Sequence, residues 1–480
     1  MKTKILLLAF IGFFGFLSNI ALAQTPEWQW AKSVGATFNN DNAYSVTAVD
    51  ASGNVYVAGD FASPTATFGS ISLKSAGDAD MFIAKYDTKG ELIWVKNFGG
   101  KNFDGASAIA IDAAGNVFVA GKHLSTGFIL GSTTLTDPGL FLARFDGDGN
   151  AVWAKNLPGT GIDFINSLAL DAKGNVFITG TFGSKTLTFG STVLTNLGGD
   201  CPQGCQDVFV AKYDANGNCL WAKSAGGSAS DYSQAAATDA SGNVFIGGGF
   251  YSTTLSFGSV TLKRSDKTAI IGGDMFVAKF DGDGNLLWAK NAGNNNDEKV
   301  FSIATDASGD AYVAGSFKSH EFTLGTFTLT KESHMAGYSN FFLAKYDAGG
   351  NVLWVQFGGG GNTDESRSVV LDASGNVYLA GIFTSGSITA GTYKLKNERT
   401  GTYDIFLIKY DPKGNVLWAN SEGTNNMDYA FSLAADRSDN IYLTGLFGTK
   451  EIKFGSTTLT NTFGSLNSSF NIYVAKLKGK

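Results

Sequence analysis

Along this chain, short stretches of alternating or continuous apolar residues recur at strand length, each ended by a cluster of turn formers. The clearest is Asp-x-x-Gly-Asn followed by an apolar run. It reads DASGNVYVAG from Asp50, DAAGNVFVAG from Asp112, DAKGNVFITG from Asp171 and DASGNVFIGG from Asp239. It returns as DASGDAYVAG from Asp306, DASGNVYLAG from Asp372 and DRSDNIYLTG from Asp436. A two-residue period across four to eight positions is the mark of a β-strand. Asp-x-x-Gly between two such runs is a turn, because Asp bonds the backbone ahead of it and Gly accepts positive φ.

Two further phrases share the repeat. A Phe-Gly-Ser element with leucine four residues after its glycine appears as FGSISL from Phe68, FGSTVL from Phe189, FGSVTL from Phe257 and FGSTTL from Phe454. LGSTTL from Leu130, LGTFTL from Leu324 and AGTYKL from Ala390 are variants. The last phrase, FxAKYDxxGNxxW, places Trp94, Trp153, Trp221, Trp288, Trp354 and Trp418 each seven residues after an Asp. The seventh copy stops inside this phrase, at IYVAKLKGK from Ile472, and the matching tryptophan stands at the other end of the chain, as Trp30 in EWQWAKS.

Each copy of about 65 residues therefore predicts four main strands: A ending at the first Asp, B carrying NVYVAG, C carrying FxAKYD and D carrying the tryptophan. A short extra hairpin falls between B and C. Seven four-stranded antiparallel units fit an all-β seven-bladed β-propeller. Copy seven lacks strand D, and the N-terminal segment supplies one, so pairing the two closes the ring and removes exposed edges. The expected layout is a propeller over 24–480, with the last blade built from about 429–480 plus a strand at 27–33. The six Trp residues and Trp30 are expected to pack between blades.

The DxxGNVYVAG and DxFxAKYDxxGNxxW phrases resemble the bacterial β-propeller repeat family called SBBP, found in exported proteins. The resemblance covers nearly the whole mature chain. It implies a seven-bladed ring and little about activity, since propellers host many functions.

Composition agrees with a strand-rich fold: 62 glycines, 6 prolines, 13% aromatic and 16% charged residues. The first 23 residues read as a signal peptide, with Lys2 and Lys4, an apolar run from Ile5 to about Leu17, and Ala21-Leu22-Ala23 before Gln24. The expected location is thus secreted, periplasmic or cell-surface, without a membrane span once the signal is removed. The formal charge of −6, with no basic cluster, argues against nucleic acid as a partner. Cys201 and Cys205 are placed to close a small disulfide loop in an oxidising compartment, and Cys219 lies beyond a predicted hairpin, too distant to join them.

The B–C and D–A connections are long and varied and share one face, where binding is expected. Eight residues before each strand-A Asp stand Asn42, Asp104, Asp163, Asp231, Glu298, Asp364 and Asp428. Strand A is innermost in a propeller, so this ring should lie near the channel mouth. It reads either as a cation or polar-ligand site, calcium being an oxygen-liganded candidate, or as carboxylates capping backbone amides in every blade. Symmetry favours the capping role. His123 replaces the Phe found at that position in the six other copies, and is the asymmetric candidate for ligand contact.

Catalytic machinery is sparse. The histidines are His123, His320 and His334, none in a metal motif, and no Gly-x-Ser-x-Gly turn is present. The chain is therefore expected to be a non-catalytic, monomeric scaffold that binds a protein or glycan partner through the B–C and D–A loops. The alternative is a hydrolase or lyase at the channel mouth, for which His123 with Glu298 is the pair on offer.

Overall fold

The computed structural model describes residues 26–38, 45–159, 161–198, 204–265, 272–331, 337–461 and 470–479. The expected signal segment, Asn42, Cys201 and His334 lie outside these residues.

The repeat folds as its pattern dictates. In the first copy, Asp50 Oδ1 accepts the Ser52 and Asn54 amides at 2.9 Å and Oδ2 accepts the Asn54 side chain at 2.8 Å. Gly53 closes the turn at φ +81°. Asp439 occupies the equivalent position in the seventh copy at φ 64°, and its carboxylate caps the Ala373 amide of the neighbouring turn at 2.7 Å.

Each turn launches a buried strand B, for example Val244–Phe250; across the seven B strands only Lys122 of the second blade is half-buried. Strand B pairs with strand A on one side and strand C on the other, and C pairs with D, giving the order A-B-C-D in six four-stranded sheets. The seventh sheet is assembled from both ends of the chain. Asp428–Ala435, Ile441–Phe447 and Phe470–Leu477 supply A, B and C, and Trp28–Phe38 supplies D. Ala31 lies opposite Ala475 and Ser33 opposite Tyr473. The seven A strands neighbour one another in a closed circle, the first (Ser45–Val49) touching both the second (Asp104–Ile111) and the seventh. The molecule is a seven-bladed β-propeller with A lining the channel and D outermost.

The short hairpins have a defined role. The hairpin Thr65–Phe68 with Ile71–Lys74 pairs onto the terminal strand through Val34 and Phe68, so it belongs to the first copy but seals the edge of the last blade. The hairpins of blades 3 to 7 likewise neighbour strand D of the preceding blade, covering an edge that would otherwise be free to pair.

Tryptophans join the blades on the uniform face. Each indole ring meets the strand-B aromatic of its own blade, edge-on in six blades, as Phe245 meets Trp288 at 5.8 Å and 72°, and tilted at 57° for Trp30 on Tyr442. In six of them the indole N–H donates to a carbonyl in the C–D turn of the next blade, as Trp221 donates to Gly282 at 3.1 Å. That turn must approach closely: a Cβ on Gly284, which sits at φ +83°, would come within 2.8 Å of the Trp221 ring. The lysines of the AKYD phrase complete the stack, Lys279 lying 4.5 Å from the Phe245 ring and 3.0 Å from Asp239. On this face the recurring residues are consumed by packing.

Candidate functional site

The acidic ring does not open onto solvent. Asp104, Asp231, Glu298, Asp364 and Asp428 are 0% exposed and Asp163 is 2% exposed. Each stands at the start of strand A and turns its carboxylate toward donors at the end of strand B in its own blade. Asp231 accepts from the Tyr251 and Ser252 amides at 3.1 Å and from Ser252 Oγ at 2.8 Å. Asp364 repeats this with Thr384, Ser385 and the Gly360 amide of the D–A loop. In the structure these carboxylates cap backbone amides and hold together the two loops of their blade. Among the described residues, no three His, Cys, Asp or Glu side chains gather as a metal centre would require. The signal for this role was a hydroxyl two residues beyond the strand-B aromatic in every copy, such as Ser252 after Phe250.

A second acid stands behind the first. Strand C begins with Asp80, Asp207, Asp274 and Asp404 in four blades, all buried. Each packs under the D–A loop leading to the next blade, where a Cβ on Gly226 would come within 2.1 Å of Asp207. Burial, and the neighbouring carboxylate, push Asp231 up to about 7; Asp207 beside it is raised by burial to about 6. Asp428, near Asp404, rises to about 7, and Glu298, near Asp274, also to about 7, again mainly through burial.

His123 is a structural replacement rather than a ligand contact. It is fully buried and lies opposite Gly139, where the six other blades place Asp80, Asp207, Asp274, Asn340, Asp404 or Asn471 against the last residue of strand B. In the first and fourth blades the strand-C Asp accepts from a strand-D asparagine: Asn97 to Asp80 at 3.0 Å and Asn291 to Asp274 at 2.9 Å. In the second blade that asparagine, Asn156, meets His123 Nε2 at 3.0 Å, while Nδ1 meets the Ser125 carbonyl at 3.1 Å. Imidazole from strand B fills the space that carboxylate from strand C fills elsewhere. His123 and Glu298 belong to blades 2 and 5, each bonded within its own blade, so the structure does not bring this pair together.

Cys205 is disulfide-bonded and Cys219 is a half-buried free thiol.

What breaks the sevenfold symmetry lies at the channel mouth on the variable face. The penultimate residue of strand B is Asp60, Lys122, Thr181, Gly249, Ser316, Ile382 and Leu446 in blades 1 to 7. It meets the second residue of strand A in the following blade. Lys122 lies 4.8 Å from the Phe164 ring, and a Cβ on Gly249 would sit 3.2 Å from Lys299 Cγ. Strand A of blades 2 to 7 also carries a β-bulge at one fixed place, and the extra residues are Ser107, Asn166, Gln234, Phe301, Arg367 and Phe431. Bulges re-aim side chains beside functional sites. Here one rigid backbone presents five different kinds of group at six positions.

These groups interact across blades. Arg367 pairs with Glu365 at 2.7 Å and lies 4.9 Å from the Phe301 ring. Tyr429 stacks on Phe431 at 5.8 Å and touches Tyr403 at 5.1 Å. Between blades 4 and 5 a cleft of about 220 Å³ is lined by Tyr232, Gln234, Gly249, Tyr251 and Lys299. Asp60 is 5% exposed, has no hydrogen-bond partner among the described residues, and burial pushes its carboxyl well above the usual range.

No family model matches the chain. It is 24% identical over 532 residues to an uncharacterised WD repeat-containing protein of Acanthamoeba polyphaga mimivirus, across 93% of this chain and 38% of that protein. It is 25% identical over 310 residues to the regulatory protein FlaEY of Caulobacter vibrioides, across 59% of this chain and 30% of that protein. The chain thus spans well under half the length of both relatives. Among solved structures, a protein of unknown function from Dyadobacter fermentans is 9% identical with a TM-score of 0.39, covering 93% of this chain and 98% of that one. A polysaccharide lyase is 11% identical with a TM-score of 0.46, covering 94% and 99%.

Proposed function

We propose that this propeller is an exported, non-catalytic binding scaffold whose ligand, a protein or a glycan, sits on the channel mouth of the variable face. One observation carries the reading. Turns, tryptophans, lysines and buried acids repeat around the ring, whereas the mouth residues differ in nearly every blade. A fold needs the repeating set; a specific ligand needs the set that varies. The mouth mixes aromatic rings with Arg367, Glu365, Lys299 and Gln234, the amphipathic blend common in recognition surfaces.

The test is binding by the mature chain on a glycan array and in pull-downs, against a variant carrying Glu365→Ala, Arg367→Ala and Tyr429→Ala. Loss of a captured ligand in this variant supports the reading. Retention there, with loss in a variant of the opposite face such as Lys89→Ala with Lys413→Ala, would overturn it.

Hydrolase or lyase chemistry at the mouth is favoured by one feature, Asp60. A carboxyl whose ionisation is disfavoured by burial is suited to general acid work. Turnover of a captured glycan, abolished by Asp60→Asn, would support this second reading.

A further inference from the structure

The cleft between blades 4 and 5 combines features that point to a class of ligand. Its space exists because position 249 is glycine. The corresponding residue in the other six blades is Asp60, Lys122, Thr181, Ser316, Ile382 or Leu446, and any of these side chains would intrude where Gly249 leaves room. Tyr232 lies directly opposite Gly249 in the sheet. The Tyr232 and Tyr251 rings stand 6.0 Å apart at 88°, giving a corner of two aromatic surfaces. The Tyr251 hydroxyl lies near the Asp297 carboxylate, and burial together with that charge raises its pKa.

Three polar groups reach this corner with hydrogen-bonding capacity to spare. Among the described residues, the Tyr232 hydroxyl, the Gln234 amide and the Lys299 ammonium make no hydrogen bond. Lys299 lies 5.5 Å from the Tyr251 ring. Its nearest carboxylate is Asp297 at 3.9 Å, which Lys318 holds more closely at 3.2 Å. Two lysines and one exposed-side carboxylate leave a net positive charge at the rim.

A volume of about 220 Å³ is below the roughly 300–1,000 Å³ of pockets that enclose a drug-sized ligand. The cleft is sized for one ring of a longer molecule, the rest lying along the mouth. Aromatic faces suit the C–H face of a sugar ring, an amide and a phenol suit its hydroxyls, and a free ammonium suits a carboxylate. We infer that the cleft formed by Tyr232, Gln234, Gly249, Tyr251 and Lys299 is a subsite for a uronic acid residue of an acidic oligosaccharide. The inference rests on the mouth being the binding surface and names the ligand class there.

The experiment is calorimetric titration of the mature chain with tetrasaccharides of galacturonate, alginate and hyaluronan, each beside its carboxyl-methylated form. At least one acidic tetrasaccharide should bind, at least tenfold more tightly than its methyl ester, and more weakly as salt is raised. Gly249→Leu, which copies Leu446 of the last blade, should melt near the parent temperature and lose binding at least tenfold. Lys299→Gln should remove the preference for acid over ester while retaining weak binding, and it serves if Gly249→Leu does not fold. No binding by any acidic tetrasaccharide, equal binding of acid and ester, or full binding by folded Gly249→Leu would overturn the inference. If a different ligand is captured and is lost with the Glu365, Arg367 and Tyr429 substitutions, the mouth remains the binding surface and only the uronate subsite falls.

Discussion

The Trp30 indole N–H donates to the Thr88 carbonyl at 3.1 Å, joining the last blade to the first. The Trp30 ring also packs on Tyr442, 6.1 Å away, within its own blade, and on Gly90, where a Cβ would come within 2.6 Å of it. One side chain near an end of the chain thus closes the circle. Trp30→Ala removes all three contacts and opens a cavity at the seam, so it should cost about 3–5 kcal/mol. Chemical denaturation checks this. Trp288, whose equivalent bond is exposed, should lose less on the same substitution.

The exchange of His123 for Phe and of Gly139 for Asp forms a compensating pair. His123→Phe alone leaves Asn156 without its imidazole partner and should cost about 1–2 kcal/mol. Adding Gly139→Asp supplies the carboxylate of the first and fourth blades, but its Cβ would come within 2.7 Å of the Leu157 carbonyl, so it should recover only part of that loss. A double-mutant thermal unfolding cycle reads the coupling, and additive losses would refute it.

Stability should fall as pH rises from mildly acid to mildly basic. Burial raises Asp207 and Asp364 to about 6, and Asp231, Glu298, Asp404 and Asp428 to about 7. The unfolded chain titrates these groups near 4. The folded state therefore holds extra protons between about pH 4 and 7. Its advantage is complete below the unfolded value and is lost as pH climbs through the folded one. Calorimetric melting should show a drop of roughly 5 °C or more from pH 5 to pH 8.

Asp60 gives a local version of the same effect. Ionising this carboxyl, buried and without a partner among the described residues, is unfavourable. Asp60→Asn should raise the melting temperature at pH 8 and leave it nearly unchanged at pH 4, where the parent residue is already neutral. Paired melts at the two pH values test it.

Much of the architecture was readable before any coordinates. The Asp-x-x-Gly turns specify hairpins through local hydrogen bonds of four residues or fewer, and these form regardless of distant context. The missing strand D after Ile472 and the spare tryptophan strand at Trp30 announced closure, since an unpaired sheet edge is costly. The seven-blade count followed from the repeat itself.

The placement of chemistry was not readable in the same way. Two buried acids at strand ends differ in role according to what folds over them. Asp231 is enclosed by its own blade's Ser252, whereas Asp60 faces the mouth beside Gly105. Gly249 looked like one more small residue in a strand; only the approach of Lys299 from the next blade turns it into the floor of a cleft. Local hydrogen-bond geometry is encoded by neighbours in sequence, so the chain by itself determined turns, strands and ring. Burial and convergence depend on residues distant in sequence, such as Asp60 and Gly105 or Gly249 and Lys299, meeting across a blade junction, and tertiary structure alone decided those.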